Sequence, residues 1–534
     1  MTQPVRGRRG IAVAPHALAS QSALAVLRDG GNAIEAMVAA AATIAVVYPH
    51  MNGIGGDSFW LVGLPKADGD SEVVAIDACG ASARGLGLED YAGLPAIPFR
   101  GGTAALTVAG TLSGWEAALS LSRERLGGRL PLTRLLADAI DYARHGTPVT
   151  ASQHHNTAGK RAGLETVSGF AETFLPGGEV PAIGSLFKHP RMAATLEHLA
   201  GAGLADFYRG ELAGSIAYDL KAAGSPLVPD DLLQHRAQLR TPLMLQHSAG
   251  RVFNMPPPTQ GLVSLMILGL MDRLGVERFD HLGADYVHAA VESVKQAFAV
   301  RDRHIGDPAH MTVDPSSFLV PGALDELAAR IDMLQAAHWG AGRGPADTVW
   351  MGVIDGEGRT VSMIQSIYHE FGSGVVLRES GVNWQNRGAS FSLQPGHINV
   401  LAPRKKPFHT LNPALALLAD GRTMVYGNMG GDGQPQSQSA VFTRSVVFGL
   451  DPQAAINAPR WLLGRTWGQS SDSLKLESRF PPATIEALRE RGHEVEVLGE
   501  YDETFGHAGC LFRHPDGSLE GGFDVRSDGS VAAF

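Results

Sequence analysis

Thr348 follows Asp347 at the point where a stretch of small residues, glycine and proline (QAAHWGAGRGPAD, 335–347) gives way to the strand-like run TVWMGVID, Thr348–Asp355. A threonine hydroxyl attacks an amide only when a base takes its proton, and the residue's own α-amine can be that base once the preceding peptide bond is gone. Such an amine has an ordinary pKa of about 7.7–8.0, so a useful fraction is neutral near neutral pH. An exposed, flexible linker ending at Asp347 would let the same hydroxyl reach the Asp347–Thr348 bond. One side chain would then cut its own backbone and afterwards act on a substrate amide. The cut would leave pieces of 347 and 187 residues, the second being 534 minus 347. A threonine at the start of a strand is also simply a good β-former, so its surroundings decide.

Ser366 lies 18 residues further on, where it can aim its hydroxyl at the amine or hydroxyl of Thr348; the plain alternative is a surface serine. Met429-Gly430-Gly431-Asp432-Gly433 follows the apolar run Thr423 to Tyr426. It can turn two backbone N–H groups toward a developing oxyanion, or be an ordinary glycine turn. Neither this loop nor Gly53-Ile54-Gly55-Gly56-Asp57 has the GxGxxG or Gly-Lys-Ser/Thr pattern of a nucleotide site. His154-His155 and His369-Glu370 lack the spacing of a zinc site and read as loop or core residues, so no metal is expected.

These groups need a scaffold that brings residues 348, 366 and 430 together. Thr348 to Asp355, the turn Gly356-Glu357-Gly358 and Arg359 to Ile367 read as a β-hairpin fed directly by the linker. Upstream, Asn32 with Glu35 three positions later marks a helix start, and that helix must stop before Pro49. Further helical periodicity covers roughly Gly114 to Leu126, Leu132 to Arg144, Ala193 to Ala200 and Tyr286 to Arg301.

Composition narrows the function classes. Charged residues are 18% of the chain against a usual ~25%, and 65 of 534 residues are glycine, which suits a compact layered enzyme with tight turns. The formal charge of −10 opposes binding to a phosphate backbone, and Arg6, Arg8 and Arg9 and then Arg404, Lys405 and Lys406 form the only basic clusters, so no nucleic-acid partner is expected. The longest apolar run, Ala36 to Tyr48, is short of the roughly 20 residues of a membrane span. Two cysteines, Cys79 and Cys510, fit a reducing compartment, and no secretory segment is visible, so a cytoplasmic protein with no membrane partner is expected.

Taken in order, GIGGDSFW (53–60), PPPTQG (256–261), RHIGDP (303–308), the Asp347-Thr348 junction, FGSG (371–374), GGDG (430–433) and NAPR (457–460) resemble the γ-glutamyltransferase family of N-terminal-nucleophile hydrolases, from about residue 10 to the end. The resemblance implies an α+β fold, a four-layer αββα sandwich formed by a large subunit, 1–347, and a small subunit, 348–534, from one self-cleaved precursor. It implies no cofactor, and it allows a dimer of these heterodimers. By position Thr348 matches the nucleophile, Ser366 the supporting hydroxyl, usually a threonine, and Gly430 and Gly431 the oxyanion glycines.

The substrate positions depart from the family members that act on glutathione. Cys79 stands where those carry an arginine for the γ-glutamyl carboxylate, and Tyr368, Arg387 and Ser390 replace the asparagine, glutamine and aspartate that hold the α-ammonium. His409 and Thr410 replace a serine pair. An ammonium about 4 Å from Arg387 would be repelled by roughly 4 kcal/mol at an effective dielectric near 20. Arg387, with His409, Thr410 and Tyr368, is therefore expected to receive a small carboxylate, unless it pairs with an acidic neighbour. The runs DTVWMGVID, SIYHEFGSGVV, WQNRG, FHTLNP and GRTWGQSSDSLKLE look like the branch of the family that hydrolyses oxamate to oxalate and ammonia in purine-ring breakdown. A glutathione hydrolase or transpeptidase, another small-acyl amidase, and a non-catalytic binding protein are the alternatives.

Overall fold

A computed structural model describes residues 3–67, 69–340, 347–464 and 471–534, with the backbone alone at Asp347. Part of the expected linker, 341–346, and part of the GRTWGQSSDSLKLE run, 465–470, lie outside the described residues.

Fourteen strands build two seven-stranded sheets: β1 (Val5–Gly7), β2 (Gly10–Ala14), β3 (Asp57–Pro65), β4 (Ser71–Ala78), β5 (Gln238–Arg240), β6 (Leu243–His247), β7 (Gly250–Asn254), β8 (Asp347–Asp355), β9 (Thr360–Tyr368), β10 (Ala414–Leu418), β11 (Thr423–Asn428), β12 (Ala508–Arg513), β13 (Leu519–Phe523) and β14 (Ser530–Ala533). One sheet runs β14-β2-β8-β9-β3-β4-β5 and the other β1-β13-β12-β11-β10-β7-β6, every neighbour antiparallel. Helices α1 (Ala17–Arg28), α2 (Ala33–Val47) and α3 (Thr111–Leu126) cover the first sheet, and α4 (Gly261–Leu274), α5 (Ala284–His304) and α6 (Gly433–Phe442) cover the second. The result is the four-layer αββα sandwich.

The two-residue period of β8 divides its side chains between layers. Val349, Met351 and Val353 pack with α2, whereas Trp350 and Ile354 join Ile11, Phe59, Leu415, Val425 and Leu511 between the sheets. Trp350 is the largest side chain of that middle layer, and glycines make its space. A Cβ at Gly427 or Gly509 would come within 2.1 or 2.4 Å of the indole.

The expected hairpin is present as β8 and β9, closed by Gly358 at φ 83°. Asn32 and Glu35 form a complete capping box on α2, all of whose side chains are buried. The expected helix at Leu132 to Arg144 is two helices, Leu132–Leu135 and Ala137–His145. Among the described residues no helix is long and apolar enough to cross a membrane. The described part of the linker, 335–340, is largely exposed but pinned through its backbone. The Ala336 N–H donates to the Arg491 carbonyl (2.8 Å), and Lys295 Nζ donates to that of Ala337 (2.6 Å).

Trp350→Ala, which empties the middle layer between Gly427 and Gly509, is expected to destabilise the protein by ~3–5 kcal/mol. Denaturant unfolding followed by intrinsic fluorescence and circular dichroism measures that loss, and an unchanged midpoint would contradict the packing role.

Candidate active site

The β8–β9 ladder is regular from Val349, opposite Gln365, to Ile354, opposite Thr360, and it breaks at the other end. Asp347 pairs with Tyr368, so Ser366 and Ile367 together face Thr348 across a bulge. Thr348 is buried there, and its Oγ1 donates to Ser366 Oγ at 3.4 Å, while Ser366 Oγ accepts the Tyr368 N–H at 2.8 Å. Ser366 is held from behind by β3, where it pairs with Asp57. A Cβ on the preceding residue, Gly56, would stand 2.0 Å from the Ser366 carbonyl oxygen. The GIGGD run is thus a close backbone approach that only glycine permits.

The β11–α6 loop carries Gly430 at φ 111° and Gly431 at φ 52°. Their carbonyls accept from the Gly433 and Gln434 N–H groups, and Gly431 also accepts from Gln260 Nε2 at 2.9 Å. Their own N–H groups donate to nothing among the described residues. Gln260, from PPPTQG, also donates to the Thr410 carbonyl (2.9 Å) and accepts from Arg301 Nη1 (3.2 Å). Arg301 pairs with Asp432 at 2.8 Å. On the other side, Arg460 of NAPR donates to the Phe505 and Gly506 carbonyls, and the Met429 N–H donates to the His507 carbonyl. Two buried arginines thus clamp the glycine pair from opposite flanks.

A cavity of about 220 Å³ lies beside this loop, lined by Tyr368, His369, Arg387, Ser390, Thr410 and Asp432 among others. Tyr368 takes φ 82°, costly for a bulky residue, and its ring lies 3.9 Å from the Arg387 guanidinium carbon. Arg387 is 1% exposed, and among the described residues its one hydrogen bond is a long one, Nη1 to Thr410 Oγ1 at 3.5 Å. Among the described residues its Nε and Nη2 have no partner and no carboxylate lies within 4.0 Å of it. Burial brings its pKa down to about 10, so it remains charged at neutral pH.

Not every expected group lines this cavity. His409 sits behind it, fully buried, with its edge on Phe59 and its Nε2 3.2 Å from Asp57 Oδ2 without the alignment of a hydrogen bond. Burial holds its pKa well below the ordinary value, so the ring is neutral. Cys79 lines a neighbouring cavity with Lys406 and His235. Sequence reasoning missed two members. Asp57 is a buried carboxylate whose field reaches Arg387, and His369, read as a loop or core histidine, lines the cavity, its pKa pulled down to about 3 by burial and then by Arg100 and Arg387.

The family model of gamma-glutamyltranspeptidase matches residues 19–534. The chain belongs to the gamma-glutamyltranspeptidase family. It is similar to an oxamate amidohydrolase proenzyme of Klebsiella pneumoniae, 60% identical over 98% of each chain, and to a glutathione hydrolase-like proenzyme, YwrD, of Bacillus subtilis, 38% identical over the whole of both. Among solved structures, a cephalosporin acylase from Bacillus halodurans superposes with a TM-score of 0.90 at 33% identity, covering 100% of this chain and 97% of that one. The protein is an amidohydrolase of the N-terminal-nucleophile type, made as a self-processing proenzyme.

For a gamma-glutamyltranspeptidase-family member the motifs now have physical duties, since GIGGD backs Ser366 while PPPTQG and NAPR brace the Gly430–Gly431 loop. Among the described residues one group of metal-ligating side chains stands apart from them: His288, Glu292 and His493, all buried. Lys295 already pairs with Glu292 at 2.6 Å, and the two imidazoles hydrogen-bond to each other at 2.8 Å. That cluster reads as a structural network that pins the linker.

Gly56→Ala forces a methyl group into the Ser366 backbone and is expected to slow self-cleavage by ~100-fold, because displacements of about 1 Å cost that much in positioned reactions. A time course on denaturing gels, normalised to folded protein, checks this, and cleavage at the parental rate would refute it.

Proposed function

We propose that this enzyme cuts itself between Asp347 and Thr348 into a large subunit, 1–347, and a small subunit, 348–534, and that it then hydrolyses oxamate to oxalate and ammonia. The observation that carries the substrate is Arg387: a buried, charged guanidinium that among the described residues has two unused donor nitrogens and no carboxylate in ion-pair range, beside a cavity of about 220 Å³. A guanidinium in that state is a receptor for a small carboxylate. Oxamate carries one carboxylate next to its amide and no ammonium. A γ-glutamyl substrate would bring an ammonium to a site of positive charge, at a cost of roughly 4 kcal/mol for a 4 Å approach. The relative at 60% identity carries the oxamate name, which supports the same substrate.

In the precursor, Thr348 Oγ1 attacks the Asp347 carbonyl carbon. The C–N bond breaks as the acyl group moves from nitrogen to oxygen, which frees the α-amine, and water then opens the resulting ester to release the Asp347 carboxylate and restore the Thr348 hydroxyl. In the mature enzyme that amine takes the proton from Oγ1 as the hydroxyl attacks the amide carbon of oxamate, with Ser366 Oγ orienting it. The Gly430 and Gly431 N–H groups stabilise the oxyanion, each donor of this kind contributing ~10²–10³ in rate. The amine passes its proton to the leaving nitrogen, the C–N bond breaks and ammonia departs. Water then attacks the Thr348 ester, oxalate leaves, and the hydroxyl is restored. Arg387, stacked on Tyr368 and next to Thr410, holds the carboxylate throughout.

Thr348→Ala is expected to remain a single band of 56.3 kDa and to be inactive. Arg387→Ala should be cut normally while its KM for oxamate rises by ~10–100-fold, the worth of a hydrogen bond to a charged group. Ammonia release from oxamate, malonamate, glutamine and glutathione, with mass spectrometry of the processed chains, tests both. Active protein lacking a terminus at Thr348 would refute the nucleophile. An unchanged KM in Arg387→Ala, or faster turnover of glutathione than of oxamate, would refute the carboxylate receptor.

A further inference from the structure

Behind Arg387 lies a pair of buried groups with no duty in the mechanism above. Asp57 is 0% exposed, and its Oδ1 accepts the N–H groups of Gly80 and Gly110, each at 3.0 Å. Among the described residues its Oδ2 has no hydrogen-bond partner, and it faces His409 Nε2 at 3.2 Å, a fully buried ring with neither nitrogen hydrogen-bonded to any of them. Three groups with unsatisfied polar atoms therefore lie together, Arg387 at the wall of the cavity and His409 and Asp57 behind it. Buried polar atoms are rarely left so unless something completes them.

The charge of this wall depends on few groups. The elements packed around Asp57 present Arg387, His409, Gln385, Cys79 and Tyr208 to it. Cys79 and Tyr208 are neutral, because burial pushes both their pKa values well up, and His409 is neutral because burial pushes its value down. Lys406, the next cation, is paired with Asp77 at 2.7 Å. Arg387 and Asp57 are left to set the balance.

We propose that Asp57 is the residue that sets the charge selectivity of this site. With its carboxyl protonated, Arg387 is an unbalanced cation that draws a carboxylate substrate. With Asp57 ionised, the wall is neutral overall and the substrate anion is held more weakly. The inference rests on the reading of Arg387 as the carboxylate receptor. Burial raises the Asp57 pKa to about 7, against the lowering effects of the Gly80 N–H and Arg387, so the change of state falls within the working range of an enzyme.

The test is the KM for oxamate and the competitive Ki for oxalate, measured from about pH 6 to about pH 9 in the parent protein and in Asp57→Asn. Asparagine keeps an oxygen for the two N–H groups. In the parent, both constants should rise by ~10-fold across neutrality, as one nearby charge appears. In Asp57→Asn that component of the rise should vanish, leaving tighter binding than the parent at the alkaline end. The Thr348 amine titrates in both proteins, so the difference between the profiles reports Asp57. A flat parental profile overturns the proposal without any variant, and parallel profiles overturn it as well. Failure of the receptor reading itself shows separately, as an unchanged KM in Arg387→Ala.

Discussion

A hydroxyl that is to attack the peptide bond before its own residue needs a backbone that is rigid on one side and irregular on the other. Strand β8 supplies both. From Gly352 onward it is paired with β2 and β9, and at Thr348 the ladder with β9 breaks so that two residues face one. What holds the break in place is the contact between Gly56 and the Ser366 carbonyl, where β3 comes so close to β9 that no side chain fits. Moving that strand would move Ser366 and with it the hydrogen bond from Thr348.

Three buried arginines around the site show how the same side chain serves two purposes. Arg301 is paired with Asp432, and Arg460 is paired with Asp524, and each also donates to loop atoms. Removing a guanidinium from water costs several kcal/mol even after relaxation, and in these two cases a carboxylate and several acceptors offset it. Both then fix the geometry of the glycine loop between them. Arg387 is equally buried but has the Tyr368 ring, one long bond to Thr410 and the more distant Asp57. Its desolvation is offset only in part by the protein, which is the condition under which a small anion binds well.

Much of this was legible in the sequence where a local pattern has a local cause. The hairpin, the capping box at Asn32 and Glu35, and the glycine loop after Thr423–Asn428 follow from turn residues, caps and periodicity. Arg387 stood out because its charge conflicts with a family substrate. The strands β2, β3, β4 and β7 were not read, because layers cover both faces of the sheets and the apolar runs lose the alternation that marks a half-exposed strand. Asp57 was passed over for a similar reason. Within GIGGDSFW it reads as part of a turn, and only the fold shows that its carboxyl lies beside His409, more than 350 positions away. Residues 335–340 of the linker are largely exposed, but their backbone bonds to Arg491 and Lys295 depend on helices elsewhere in the chain.

The order of strands also explains why cutting the chain need not take it apart. In one sheet β8 and β9 lie between β2 and β3, and in the other β10 pairs with β7, so both sheets are built jointly by strands from before and after residue 347. Separating the pieces would strip entire ladders of their backbone partners and expose the middle layer around Trp350, a loss far larger than one peptide bond contributes. The linker's upstream half stays fixed at Ala336 and Ala337, and Val349 stays fixed opposite Gln365. Under the cut proposed between Asp347 and Thr348, these anchors lie on both sides of the broken bond, so one geometry would serve first the chain's own peptide bond and then a foreign amide.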